Sequence, residues 1–184
     1  MKWLHWLLSI LRQHVTLPLP VAVVLVAPDA SFNRLPHVFG AVAASEKFWA
    51  GVGIKLKVQV VQVASNMLSD DLWFRGHSSL DYYEKGRVPL VVYVFGDAAR
   101  VYDSKSLGVA YESGVAVVAG NVLLPGGETW LDEIIDHELG HLLMENEQEH
   151  EDGTFMGAVL ELRNRLVTPA QRTQLRRAAE RLME

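Results

Sequence analysis

Hydrophobic positions along the 184-residue chain change rhythm several times, and each change marks a predicted element. Pro20 to Pro28 is a continuous apolar run bounded by prolines, the pattern of a central strand covered on both faces. From Val38 to Ala50 the apolar positions Val38, Val42 and Phe48-Trp49 keep helical spacing, and Gly51-Val52-Gly53 ends the helix. Ile54 to Val60 alternates strictly, predicting a strand with one wet face, and the polar, glycine-containing residues 64–87 predict a long surface loop. Val88 to Phe95 reads as a third strand, apolar throughout, and Gly108 to Tyr111 and Gly114 to Gly120 read as a pair of short strands. A helix is predicted from about 129 to 145. Trp130, Ile134, His137 and His141 share one side of it and Leu131, Ile135, Leu139 and Leu142 the neighbouring side, with Asp132, Glu133 and Asp136 toward solvent. Thr168-Pro169-Ala170-Gln171 opens the last helix with a capping residue, a proline in the first turn and Gln at the capping-box position. Its inner face is Leu175, Ala178, Ala179 and Leu182, while Arg172, Arg176, Arg177 and Arg181 read as a solvated face rather than a binding patch. Strands interleaved with helices predict an α/β fold in one domain.

Composition narrows the functional classes. The chain is long enough to bury a real core, and 49% hydrophobic with 21% charged residues is the balance of an ordinary soluble protein. A net charge of -5 gives no electrostatic reason to expect a nucleic-acid partner. The absence of Cys excludes disulfides and thiolate metal ligands. No apolar stretch approaches the roughly twenty residues a bilayer span needs. In residues 1–17, Trp3, Leu4, Leu7, Leu8 and Leu11 form one helical stripe and Lys2, His5, Ser9 and Arg12 recur opposite. A secretory h-region would not keep that polar stripe, and no small-residue cleavage site follows. A helix packed on the sheet is therefore favoured over a membrane-surface anchor or a latency segment over the cleft. Without a convincing signal peptide or any Cys, the cytoplasm is favoured over secretion.

The chemistry concentrates in His137-Glu138-Leu139-Gly140-His141. Residues four apart lie on one face of a helix, so His137 and His141 can reach a single metal ion. Glu138, rotated about 100°, borders the open coordination position. A catalytic zinc lowers the pKa of a bound water, and an adjacent carboxylate can take its proton as the water attacks a polarised carbonyl. Two helical histidines leave such a site one ligand short, and Glu145, Glu147, Glu149, His150 and Asp152 all follow closely.

The motif at 137–141 together with Asp152-Gly153-Thr154-Phe155-Met156-Gly157 resembles the metzincin clan of zinc peptidases. In that clan the helix motif is followed by a Gly, a third His and a tight turn carrying a Met beneath the metal. Met144 stands in place of that Gly, and Glu147 stands where strict spacing would put the third His. Asn146 tolerates the left-handed conformation and is the expected helix stop, two residues late. Shifting the pattern by that amount brings the third ligand near Glu149 and His150. His150, a neutral nitrogen donor, is preferred to Glu147, with Glu145 and Glu149 behind.

The resemblance implies a mixed twisted sheet with an active-site helix and a closing C-terminal helix. It divides the chain into an N-terminal helix (1–17), an upper sheet with the zinc helix (18–145) and a Met-turn with the last helix (146–184). It implies one catalytic Zn2+, peptide or protein substrates, Met156 as a structural floor to the site, and endopeptidase chemistry by a zinc-bound water with Glu138 as general base. In the clan the edge strand above the zinc receives the substrate as an added strand, a role that falls here to Val115, Ala116, Val117 and Val118. The Tyr that stabilises the oxyanion in some members is replaced by Gly157 and Ala158. Two other readings stay open. One is a gluzincin-like peptidase with Glu161 as third ligand; the other is a non-catalytic zinc-binding interaction domain, which would not depend on Glu138.

Overall fold

The computed structural model describes residues 16–27, 35–64, 88–95, 108–111, 114–119, 131–144, 150–157 and 165–184. Along the chain these form β1 (Leu17–Ala27), α1 (Leu35–Val52), β2 (Ile54–Ala64), β3 (Leu90–Phe95), β4 (Gly108–Tyr111), β5 (Val115–Ala119), α2 (Leu131–Met144) and α3 (Pro169–Arg181). The strands make one sheet in the order β2-β1-β3-β5-β4. Pairing is parallel across β2, β1, β3 and β5, and β4 runs antiparallel to β5. The proposed helix at 1–17 and the loop at 64–87 lie almost entirely outside the described residues, but Leu17 belongs to β1, which begins three residues before the apolar run bounded by Pro20.

Burial follows the hydrophobic rhythm. In β1, residues 21–24 are all buried, as a strand with both faces covered requires. Ile54 and Leu56 of β2 are buried while Lys55, Lys57 and Gln59 are exposed, the alternation of a strand with one wet face. Leu19, Val21 and Val23 of β1 and Leu90, Val92 and Val94 of β3 share one core with Val38, Val42 and Trp49 of α1, the apolar residues of α2, and Leu175, Ala178 and Ala179 of α3. The β4-β5 hairpin needs Gly114 for two reasons. Its φ of 82° lies in the left-handed region, and a Cβ there would stand 2.7 Å from the Pro89 carbonyl oxygen. The bare backbone lets the Gly114 carbonyl accept from Val91 N at 3.0 Å, which ties the hairpin to β3.

The third helix starts as its sequence prescribes. Thr168 accepts from Gln171 N, and the Gln171 side chain accepts from Thr168 N, a complete capping box. Two features of α3 differ from the sequence reading. Leu182 is 41% exposed, because it follows the last helical turn instead of continuing the inner face. The arginine face is also not purely solvated: Arg172 donates to Gly51 O at 2.7 Å and Arg176 to Gly53 O at 2.9 Å. These carbonyls lie at the C-terminal end of α1, where backbone acceptors lack intrahelical partners and positive charge is favourable. Gln174 does the same for α2, donating to Met144 O at 3.1 Å.

Candidate metal centre

Helix α2 is the most enclosed helix of the described structure. Eleven of its residues, from Leu131 to Met144, are buried, including His137, Glu138 and His141. The sequence expectation that Asp136 faces solvent does not hold: it is 2% exposed. Its Oδ1 accepts from Trp49 Nε1 of α1 at 2.9 Å, and Arg165 Nη1 stands 3.2 Å from Oδ2. That approach lacks hydrogen-bond geometry, so Oδ2 has no hydrogen bond from the described protein atoms. Arg165 also pairs with Asp132 and lies over the Phe48 ring, 5.4 Å from its centroid. Burial pushes the Asp136 carboxyl up to about 7 despite the opposing pull of Arg165. A third face of α2 is thus closed by a buried polar anchor to α1, which a helical wheel alone cannot show.

The turn after α2 is folded around Thr154. Thr154 Oγ1 donates to Glu151 O at 2.7 Å and accepts from Met156 N at 3.1 Å. Backbone bonds from Glu151 N to Met156 O, Thr154 N to Glu151 O and Gly157 N to Thr154 O close the loop on itself. Gly153, with φ 78°, supplies the left-handed residue this path requires. The Phe155 ring packs against Phe48 and Trp49 of α1, and Phe155 N donates to Leu166 O at 3.0 Å. Met156 is fully buried beneath α2. It comes so close because residue 140 is glycine: a Cβ there would sit 2.4 Å from Met156 Sδ and 2.7 Å from Phe155 Cε2.

This packing brings three imidazoles together. His137, His141 and His150 each offer a ring nitrogen, and these atoms lie within 4.8 Å of one another. His137 Nε2 and His141 Nε2 are 3.0 Å apart, while the His150 ring stacks on His137 with centroids 5.3 Å apart. His150 itself is exposed, so the cluster is buried on the helix side and open on the other. The Phe155 carbonyl, 3.1 Å from His137 Nδ1, can only accept, so Nδ1 carries the proton and the Nε2 lone pair faces the cluster. Burial, then the neighbouring His141, lowers the His137 pKa to about 4. His137 is therefore the neutral nitrogen donor that a divalent ion requires.

Glu138 lies beside this cluster, 5% exposed, with its carboxyl against the backbone of β4. A Cβ on Gly108 would meet Glu138 Oε1 at 2.4 Å. Withdrawal from water raises its pKa to about 8 in the ion-free site, and a nearby cation would favour the ionised form. Three imidazole nitrogens, that of His137 on a ring with a fixed tautomer, no thiolate and an open side fit a zinc ion with a free coordination position.

Other site residues read from the sequence fall differently. Val115, Ala116, Val117 and Val118 do not form a sheet edge. Strand β5 lies between β3 and β4 and is paired on both sides, so its backbone groups are already used. Among the described strands the edge on this side is β4, whose Gly108 lies beneath Glu138. Glu145, Glu147, Glu149 and Glu161 lie outside the described residues; Asp152 is exposed in the turn and is not a member of the histidine cluster. Sequence reasoning missed the parts played by Gly108, Gly140, Thr154 and Asp136. Of these only Gly140 carried a signal, as a glycine inside a helix.

No protein-family model matches the sequence, and a search of curated proteins finds no match. Solved structures do resemble it. Archaemetzincin from Methanopyrus kandleri superposes with a TM-score of 0.57 at 19% identity, covering 87% of this chain and 96% of that one. Metalloproteinase-II from Bacteroides fragilis gives a TM-score of 0.55 at 16% identity and covers 89% of this chain, which spans only 54% of that protein. The fold is therefore of mixed α/β class and is shared with these two proteins. No helix among the described residues is long and apolar enough to cross a membrane.

Proposed function

We propose that the chain is a zinc-dependent endopeptidase of metzincin-like type, with His137, His141 and His150 as ligands and Glu138 as general base. The observation that carries this reading is the convergence of three imidazole nitrogens within 4.8 Å beside a buried carboxyl, in a fold shared with metallopeptidases. Three nitrogen ligands and an open position are the arrangement of a catalytic rather than a structural zinc. When bound, the ion supplies Lewis acidity toward a water and toward the scissile carbonyl.

The chain's own residues do the rest. Glu138 Oε takes a proton from the attacking water as its oxygen bonds to the carbonyl carbon, then returns a proton to the amine nitrogen as the C–N bond breaks. The Phe155 carbonyl holds His137 in one tautomer, and Met156 fills the space under the helix at Gly140. The substrate role passes from β5 to β4: an extended peptide adding to Gly108–Tyr111 would run past the Glu138 carboxyl. Bare backbone at Gly108 leaves room for that carboxyl.

The test compares wild type with Glu138→Gln for metal content and for cleavage of a peptide library. Both proteins should hold about one zinc per chain, and the variant should lose about 10²- to 10⁴-fold in hydrolysis, the usual contribution of a general base. A wild type that takes up no zinc, or a variant as active as wild type, overturns the proposal.

A further inference from the structure

In a capping box the side chain at the third helical position needs only an oxygen, and Glu serves as well as Gln. Gln171 provides that oxygen, with Oε1 accepting from Thr168 N at 2.9 Å. Its amide nitrogen is spent elsewhere. Gln171 Nε2 donates to Thr154 Oγ1 at 3.1 Å and to Glu151 Oε2 at 2.8 Å, and the residue is 4% exposed. Both acceptors belong to the turn beneath the metal centre. Glu151 directly follows His150, and Thr154 sets the path of Phe155, whose carbonyl accepts from His137 Nδ1 at 3.1 Å. A Glu at 171 would complete the cap equally well but could donate to neither. The cap therefore leaves the choice between the two residues open, and the turn decides it.

We infer that Gln171 is a positioning residue of the metal centre, which couples the start of the C-terminal helix to the turn that presents His150 and orients His137. This rests on the proposed metal site and adds to it a residue that touches no ligand atom. Glu151 and Thr154 are the two acceptors through which Gln171 acts.

The experiment measures zinc affinity by chelator competition and the absorption spectrum of the cobalt(II)-loaded full chain. Gln171→Glu keeps the capping oxygen, removes both donors and sets a like charge against Glu151. It should weaken zinc binding about 10-fold, the low end of the effect of losing an outer partner of a metal ligand, and change the cobalt spectrum. Thr168→Ala removes the cap side chain but spares the Nε2 bonds. It should lower the melting temperature of the metal-free protein while leaving zinc affinity and the cobalt spectrum as in wild type. The swap Glu151→Gln with Gln171→Glu restores one amide-to-carboxylate bond in the reverse sense and should recover most of the affinity.

Wild-type affinity and spectrum in Gln171→Glu would overturn the inference and leave the metal site standing. So would a loss of affinity in Thr168→Ala equal to that in Gln171→Glu, which would make the effect one of helix stability. If Gln171→Glu does not fold, the swap decides, and a swap that folds without recovering zinc affinity overturns the coupling. A wild type without zinc uptake overturns site and inference together.

Discussion

Gly40 and Gly140 both lie inside helices, but replacing each by Ala should have different effects. The helical term is the same for both: Gly to Ala in a helix interior favours the folded state by about 1 kcal/mol. At Gly40 in α1 nothing lies within 4 Å of the new methyl, so that gain stands alone. At Gly140 in α2 the methyl would stand 2.4 Å from Met156 Sδ, 2.7 Å from Phe155 Cε2 and 3.0 Å from Phe155 Cζ. The Met side chain can yield, but the Phe155 ring is packed against both Phe48 and Trp49. Overpacking of this kind costs about 1–3 kcal/mol, which outweighs the helical gain or cancels it. The two variants should therefore differ by about 1–3 kcal/mol, each kcal/mol being worth about 2–4 °C in a chain of this size. Thermal melts of the metal-free proteins read this directly. Displacing the turn also strains the bond from His137 Nδ1 to the Phe155 carbonyl, so zinc affinity should fall in Gly140→Ala and stay unchanged in Gly40→Ala. A Gly140→Ala protein stabilised as much as Gly40→Ala would refute the packing argument.

Asp136 and Arg165 give two further predictions. The Asp136 carboxyl has its folded pKa raised to about 7 from 3.8, so the folded state holds more protons between those values and loses stability as pH rises through them. Asp136→Asn should remove that slope; chemical denaturation at pH 5 and pH 8 checks it, and a wild type that gains stability over the variant on going to pH 8 would contradict the sign. Arg165→Met removes the cation beside Asp136 and should cost about 1 kcal/mol at pH 8, because a carboxyl with a folded pKa of about 7 can take up a proton there for about 1.4 kcal/mol rather than stay ionised and unpaired. The cost should shrink at pH 5, where Asp136 takes up a proton; an equal loss at both pH values would show that packing over Phe48, not charge, is what the arginine supplies. His137, lowered to about 4, should remain neutral in the metal-free protein down to that region, and its ring resonances in an NMR titration would show otherwise if its midpoint lay near 6.5.

Much of the fold was legible because its signals are local. The apolar run bounded by Pro20 and Pro28 reads as a strand buried on both faces whatever it pairs with, and β1 lies inside the sheet with its central residues buried. The capping box at Thr168 is a matter of four consecutive residues, and α3 begins there. The error over β5 has the opposite origin. Val115 to Val118 reads as a strand from its own composition, but whether that strand is an edge depends on where β3 and β4 settle, which are non-local pairings.

For the metal centre, sequence by itself determined what the period of a helix determines: His137 and His141 one turn apart on one face, with Glu138 beside them. The resemblance of Asp152 to Gly157 to the metzincin turn, not any local pattern, implied a Met beneath the site. Only the tertiary structure decided the rest. The His150 ring reaches the other two because the turn folds around Thr154 and packs against the bare backbone of Gly140. Asp136 lies inside because Trp49, far away in sequence, donates to it, and Glu138 is withdrawn from water because Gly108 has no side chain to hold it off. Helical periodicity places residues relative to their own axis. What stands opposite each face is set by which other segments the fold brings there, and that is where the polarity of the site and the place of His150 were fixed.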